Sequence, residues 1–254
     1  MSPFIVVRAI FIILMFDIIV ADFFLGIHWV WYLVPTLSFI AFIVTGSAVM
    51  KYNIFLKSYT TPSANKIAIT FDDGPATYTW QVLDVLRKYD VKASFFCIGK
   101  NMDVRPDVVT RLDQEGHLVA NHSWSHSHWF SFFGKKRIIV EMEKTNELIK
   151  KLTGHENKFF RPPYGVTNPA IARAVMNTGM KVIGWNLRSF DTTGAKPEKV
   201  IKRVLSRLRP GSVLLLHDNL ENTAEILEAI LKYAKKKEYK CVRVDRIFKF
   251  DDNE

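Results

Sequence analysis

Two long apolar runs open the chain, at residues 4–25 and 29–50. Each is close to the ~20 residues needed to cross a bilayer. Asp17 and Asp22 interrupt the first run, and His28, Trp29, Trp31 and Tyr32 lie between or just inside the second. Aromatic side chains of this kind favour the membrane–water interface. Pro35 and Gly46 are both tolerated within membrane helices. A signal peptide would have a shorter apolar segment and a small-residue cleavage site, so it fits less well. The pattern therefore predicts a two-helix transmembrane hairpin over residues 1–50. A short linker over 51–65, ending in Thr60-Thr61-Pro62-Ser63, follows it.

From residue 66 the pattern changes to short apolar runs alternating with amphipathic ones. Strand-like runs fall at 66–71, 92–98, 117–121, 157–160, 181–186, 212–217 and 240–244. Helix-like runs lie between them, at 77–89, 104–115, 136–152, 168–178, 197–208 and 222–236. Pro106, Pro169 and Pro197 each fall near a helix start, where a missing N–H costs least. Such alternation indicates parallel strands with helices outside. Seven strands rather than eight predict an α/β domain over 66–254, built as a distorted, incomplete (β/α) barrel of about seven parallel strands.

Candidate chemistry gathers at the C-terminal ends of these strands, where barrel enzymes assemble their sites. Thr70-Phe71-Asp72-Asp73-Gly74-Pro75 places two adjacent carboxylates at the exit of one strand. Side chains alternate along a strand, so a bend at Gly-Pro can aim the two Asp at different tasks, one as metal ligand and one as general base. A solvated Asp-Asp-Gly turn is the ordinary alternative. Asn121-His122-Ser123-Trp124-Ser125-His126 carries two imidazoles four residues apart. On one helical turn such residues share a face. The pair can hold one zinc with Asp73 as third ligand, and three protein ligands leave a position open to water. Surface His pairs at this spacing also arise by chance, and His117 and His128 read as structural or exposed. Three further pieces follow: Arg161-Pro162-Pro163-Tyr164-Gly165, then Asp191, then Leu214-Leu215-Leu216-His217-Asp218. Singly, each has a bland reading as a surface Arg, a loop Asp or a His capping a core strand. Their joint occurrence in this order points to one site.

The motifs TFDDGP, HSWSH, RPPYG and LLLH, in that order, resemble the polysaccharide deacetylase family, the nodulation-type deacetylase domain of family 4 carbohydrate esterases. The resemblance spans roughly residues 64–250. It implies metal-dependent removal of acetyl groups from N-acetylated sugars. By motif, Asp72 would be the general base. Asp73, His122 and His126 would bind a divalent metal, usually zinc, although cobalt and other divalent ions tolerate such a ligand set. Arg161 would pair with Asp72 and orient it. His217 would be the general acid, held by Asp191. Tyr164 would lend its backbone N–H to the oxyanion, with Pro162 beside it at the substrate, and Leu215 would line the acetyl pocket.

The fourth motif departs from the family pattern. That pattern commonly has Asp, two residues, then Asp-Trp, whereas this chain reads Arg188-Ser189-Phe190-Asp191-Thr192. The second Asp is kept, and Arg188 and Thr192 stand where the first Asp and the Trp are usual. Loss of that Trp removes one wall of the acetyl pocket. Arg188 reads equally as a surface cation or as a contact to an anionic polymer. The leading function is hydrolysis of the acetamido group of N-acetylglucosamine units in a peptidoglycan-like or chitooligosaccharide-like envelope polysaccharide. An O-acetyl esterase acting on a glycan is the alternative within hydrolases. An inactive membrane-tethered glycan-binding protein is disfavoured because every catalytic position is filled.

Composition adds partners and sidedness. The chain has 254 residues, 48% of them hydrophobic, enough for one globular domain plus an anchor. Its formal net charge is +10, with basic clusters at Lys135-Lys136-Arg137 and Lys235-Lys236-Lys237. Basic patches suit nucleic acid, anionic lipid or acidic polymer. Beside a membrane anchor, lipid headgroups or wall polymer are favoured, and no nucleic-acid motif is visible. Cys97 and Cys241 read as buried thiols rather than a disulfide. Arg8 near the start of the hairpin and Lys51, Lys57 and Lys66 after it would place both ends in the cytoplasm by the positive-inside rule. A deacetylase of envelope glycan instead requires the extracytoplasmic face of the cell membrane, and the expectation follows that requirement.

Overall fold

A computed structural model describes residues 2–250. In chain order the helices and strands are α1 (Pro3–Leu25), α2 (Val30–Ala48), β1 (Ser58–Tyr59), β2 (Lys66–Asp72), α3 (Thr79–Lys88), β3 (Ser94–Cys97), α4 (Gly99–Val104) and α5 (Pro106–Gln114). They continue with β4 (Leu118–Asn121), α6 (Lys135–Thr153), β5 (Phe159–Phe160), α7 (Pro169–Thr178), β6 (Lys181–Ile183) and β7 (Leu187–Arg188). The chain closes with α8 (Pro197–Leu205), β8 (Val213–His217), α9 (Thr223–Lys236), β9 (Lys240–Cys241) and α10 (Val244–Ile247).

Among the described residues the strands form one nine-stranded sheet, ordered β1-β6-β5-β4-β3-β2-β8-β7, with β9 pairing the start of β2. Every pairing is parallel. The sheet curls without closing, which is the incomplete barrel that the alternating pattern predicts. Four details differ from expectation. β1 lies inside the stretch 51–65 and pairs β6. Of 181–186 only Lys181–Ile183 is strand (β6, pairing β5), and a further strand just after the run, β7, pairs β8 on the far edge. Of 240–244 only Lys240–Cys241 is strand, because Val244 begins α10. The helix-like run 104–115 also breaks at Arg105, whose φ of −130° and ψ of 60° reflect the restriction that Pro106 imposes on its predecessor.

Strand alternation sorts the core. Ile67, Ile69 and Phe71 of β2 join Leu214 and Leu216 of β8 in the outer layer beneath the helices. Ala68, Phe96, Phe159, Ile183 and Val213 face inward and, with Val244 and Ile247 of α10, plug the bottom of the barrel. Inward positions one and two steps further along β2 are Thr70 and Asp72, both buried. The barrel therefore fills with carbon at one end and with polar groups at the other. Cys97 and Cys241 are free thiols, the first buried and the second half-buried.

Both α1 and α2 are long and apolar enough, by length and composition, to cross a membrane. Apolar side chains surround them on all sides, the composition of a helix that needs an apolar solvent. Gly26 ends α1 in the left-handed region (φ 59°) and donates its N–H to Asp22 O. The Phe11 and Phe39 rings stack between the two helices at 4.3 Å. The two helices are seated on the strand-and-helix body that follows them. Thr167 donates its N–H to Ser47 O and its hydroxyl to Gly46 O, both at 3.0 Å. Phe4, Phe42 and Ile43 pack on Ile54, Phe55 and Ala172.

Candidate active site

The two aspartates leave β2 in different directions for a local reason. Asp72 is the last inward residue of the strand. Asp73 follows with φ 70°, a left-handed conformation that breaks the alternation and returns its carboxylate toward the same space. The bend thus begins at Asp73 itself, one residue before Gly74. Gly74 packs so closely on Asp218 that a Cβ there would collide with the carboxylate. Asn101 Nδ2 donates to Asp73 O at 2.8 Å and fixes the turn.

His122 and His126 do not lie on a helix. His122 follows β4 directly, and the chain to His126 is a loop with left-handed Ser123 (φ 66°) and His126 (φ 45°). The loop, rather than helical periodicity, brings the rings to 4.8 Å between centroids. Its shape is held from behind. Asn121 Oδ1 accepts the Ser123 N–H at 2.8 Å, and the Glu141 carboxylate of α6 accepts the N–H and hydroxyl of Ser125.

Asp73, His122 and His126 offer one ligand atom each, all within 4.8 Å of one another. Asp73 Oδ1 lies 3.6 Å from His122 Nε2 and 3.3 Å from His126 Nε2. His122 Nδ1 lies 2.7 Å from Arg161 O. A carbonyl only accepts, so Nδ1 carries the proton and Nε2 presents its lone pair to the cluster. Burial opposes ionisation of Asp73, but hydrogen bonding and charge from His122 in its protonated form, with smaller contributions from His126 and His217, outweigh it and lower its pKa to about 2. Burial, reinforced by the neighbouring His122, lowers His126 to about 4. One carboxylate and two neutral imidazoles at this spacing fit a divalent cation.

Arg161 is completely buried at the base of the site. Its Nη1 donates to Asp72 Oδ1 at 2.7 Å and to Thr70 Oγ1 at 2.9 Å. Nε and Nη2 donate to Ile183 O and Gly184 O, each at 3.0 Å. The guanidinium lies 3.9 Å from the centroid of the Phe96 ring, on top of the apolar plug. With four acceptors and an aromatic face, its geometry is fully determined, and so is that of Asp72.

Across the site, His217 ends β8 and its Nδ1 lies 2.9 Å from Asp191 Oδ1. Asp191 Oδ2 accepts the His217 N–H at 2.8 Å, and Ser189 Oγ and Thr192 N donate to Oδ1. Burial works against the imidazolium, but hydrogen bonding and charge from Asp191 prevail and raise the His217 pKa. Leu215, two residues earlier on the same face, is 2% exposed, and Pro162 is buried. Tyr164 adopts φ 61°, and its N–H has no acceptor among the described residues. Its ring lies 4.7 Å from that of His126, and its hydroxyl contacts His128 Nδ1 at 2.8 Å. His128, read from the sequence as structural or exposed, is exposed and contacts Tyr164 at the rim. His117 accepts the Ala93 N–H within the core, well away from the cluster. Arg188 is exposed, with its guanidinium 5.1 Å from the Phe190 ring, and Thr192 is exposed beside it.

The polysaccharide deacetylase family model matches residues 59–183. A peptidoglycan-N-acetylglucosamine deacetylase of Bacillus cereus is 31% identical over 188 residues, which cover 72% of this chain and 68% of the relative. The chain belongs to the polysaccharide deacetylase family. The peptidoglycan-N-acetylmuramic acid deacetylase PdaC of Bacillus subtilis is 32% identical over 187 residues, 73% of this chain but 39% of that longer protein. A crystal structure of a peptidoglycan N-acetylglucosamine deacetylase superposes with a TM-score of 0.72 at 29% identity, covering 76% of this chain and 92% of the other. The chain is accordingly a polysaccharide N-deacetylase.

Several residues of this site escape motif reading. Thr70 and Ser189 each complete a carboxylate or guanidinium shell, and Trp185 stands against Gly165 so tightly that a Cβ there would collide with the ring. Glu141 had a legible signal. It interrupts the buried stripe Ile138, Met142, Thr145 and Ile149 of α6, and an acid at such a position needs a partner.

Proposed function

We propose that this protein hydrolyses the acetamido group of N-acetylglucosamine units in a cell-envelope polysaccharide, using a divalent cation, by preference zinc, held by Asp73, His122 and His126. The observation that carries the reading is the convergence of this ligand cluster with the Arg161–Asp72 pair and the Asp191–His217 pair at one rim of the barrel. When bound, the cation supplies a Lewis acid for the amide carbonyl and lowers the pKa of water. Asp72, fixed by Arg161, accepts the proton of the attacking water. The Tyr164 N–H is free to donate to the oxygen that gains charge. His217 retains its proton because Asp191 faces it, and delivers that proton to the departing sugar nitrogen, which would otherwise leave as an unstable amide anion. Leu215 and Pro162 offer the acetyl methyl an apolar wall. Asp72→Asn in the full chain should keep its metal and lose about 10²- to 10⁴-fold in acetate release from an N-acetylated peptidoglycan fragment. Undiminished turnover would remove Asp72 from the role of base.

We further infer that α1 and α2 anchor the enzyme in the cell membrane with the catalytic domain on the extracytoplasmic face, where the polymer lies. The hydrogen bonds from Thr167 to the end of α2 favour a permanent anchor over a cleaved signal. At ~1.5 Å per residue, the 23 and 19 residues of α1 and α2 span about 35 and 28 Å, matching a ~30 Å hydrocarbon core. An alkaline phosphatase fused to the C-terminus should be active, and an inactive fusion on an intact chain would reverse the sidedness.

A further inference from the structure

Beside the active-site rim lies a cavity of about 750 Å³ that the chemistry above does not use. Its cationic lining comes from three places. The exit of α2 contributes residues 48–51, including Lys51, while β7 and the α8–β8 connection contribute Arg188, Arg207 and Arg209. Among the described residues no Asp or Glu lines the cavity, and none of these four cations has a carboxylate partner. Four like charges around one hollow repel each other, and an anion placed among them relieves that repulsion. Arginine forks match phosphate oxygens in geometry as well as charge.

The position of the cavity narrows the kind of anion. Trp185 is the wall it shares with the active site. That ring lines the cavity, packs on Gly165 next to Tyr164, and lies 5.5 Å from the Arg161 guanidinium. Val49 and Met50, at the end of a helix apolar enough to span a bilayer, line it too, and Met50 packs in the same cluster as Trp185. Thr167, two residues after Gly165, is bonded to that same helix end. An anion seated here is therefore at the level where the hairpin leaves the membrane and one side chain from the reacting centre. A polymer approaching from water has no reason to place its charges at that level, whereas a lipid phosphate is confined there.

We propose that the cavity seats the phosphate of a lipid-linked N-acetylated sugar, so that the sugar is deacetylated while still joined to its membrane carrier. The proposal rests on the deacetylase reading and on the hairpin as anchor. It implies that a glycosyl transfer onto a lipid phosphate supplies the substrate.

The test measures binding to the full chain in detergent micelles, in the Asp72→Asn background, by calorimetry. The probes are a short prenyl phosphate N-acetylglucosaminide, the same glycoside without phosphate, a glycerol phosphate oligomer and a short-chain phosphatidylglycerol. The phosphate-bearing glycoside should bind at least about tenfold more tightly than its phosphate-free analogue, the scale of one charge-assisted hydrogen bond. Arg207→Gln combined with Arg209→Gln should bring that ratio close to one. Arg188→Gln, on a separate strand, should reduce it independently should the double variant lose its melting transition. A ratio near one in the parent, or one unchanged in both variants, would overturn the proposal. Equal or tighter binding of the glycerol phosphate oligomer would assign the cavity to wall polymer, and of phosphatidylglycerol to bulk lipid, each also overturning it. Acetate release by the chain with Asp72 intact is scored separately. No acetate with the ratio preserved defeats the deacetylase reading alone, and acetate with a ratio of one defeats the phosphate site alone.

Discussion

Replacing Asp191 by Asn removes one charge and keeps the shape, and the structure sets what that should cost. The carboxylate accepts four hydrogen bonds: from His217 Nδ1 at 2.9 Å, His217 N at 2.8 Å, Ser189 Oγ at 2.9 Å and Thr192 N at 3.1 Å. An amide has one oxygen for the two that these donors need, so its NH₂ must face either the imidazole N–H or the backbone N–H of His217. A hydrogen bond to a charged group contributes about 1.5–3 kcal/mol. At 1.36 kcal/mol per decade, the rate should fall about 10- to 150-fold even where His217 is still protonated. Above that, a second effect enters. Burial pulls the His217 pKa down and Asp191 raises it past the ordinary value of 6.5. Without the charge, burial is opposed only by the smaller pull of the Asp72 and Asp73 charges, and the alkaline limb of the rate profile moves to lower pH. Stability follows the same sign. The imidazolium–carboxylate pair stabilises the fold fully below the unfolded value and ceases to do so as pH rises through the raised folded one, so the melting deficit of the variant should shrink in alkali. The assay is acetate release across pH on one defined N-acetylated oligosaccharide, with melting curves at the same pH values. A uniform loss with an unmoved alkaline limb would mean that Asp191 only holds the loop in place and does not tune His217.

Other perturbations follow from the same geometry. Arg161→Met strands the buried Asp72 carboxylate and three further acceptors, and breaking such a pair costs about 3–5 kcal/mol. A urea midpoint equal to that of the parent would contradict the buried arrangement. Glu141→Ala releases the Ser125 end of the His122–His126 loop and should weaken zinc affinity about 10- to 100-fold, as loss of a supporting ligand contact does. Competition against a fluorescent chelator measures it, and unaltered affinity would show that the loop holds its shape without α6.

The long elements were legible because their periodicity is clean. β2 and β8 carry near-continuous apolar runs, four residues in β8, and α6, α8 and α9 carry amphipathic patterns. Two-residue strands such as β1 and β7 have too few positions to show any period, so tertiary pairing alone defines them. The carboxylates and imidazoles of the site were legible as motifs. Their geometry was not, since the left-handed turns at Asp73, Ser123 and His126 occur at residues that rarely adopt them. Trp185 was silent for another reason, and Thr70, although it opens the TFDDGP run, gave no hint of its partner. An aromatic or a threonine in an apolar run is indistinguishable from core until the fold sets Arg161 beside it.

The central claim is that Asp73, His122 and His126 together hold one catalytic divalent ion. Titrating zinc into metal-stripped protein while following acetate release from an N-acetylated peptidoglycan fragment addresses it most directly. Turnover should rise from background and level off at one equivalent, and Asp73→Ala should abolish that stoichiometric step. Full turnover by the stripped protein, or an undisturbed step in the Asp73→Ala chain, would contradict the account.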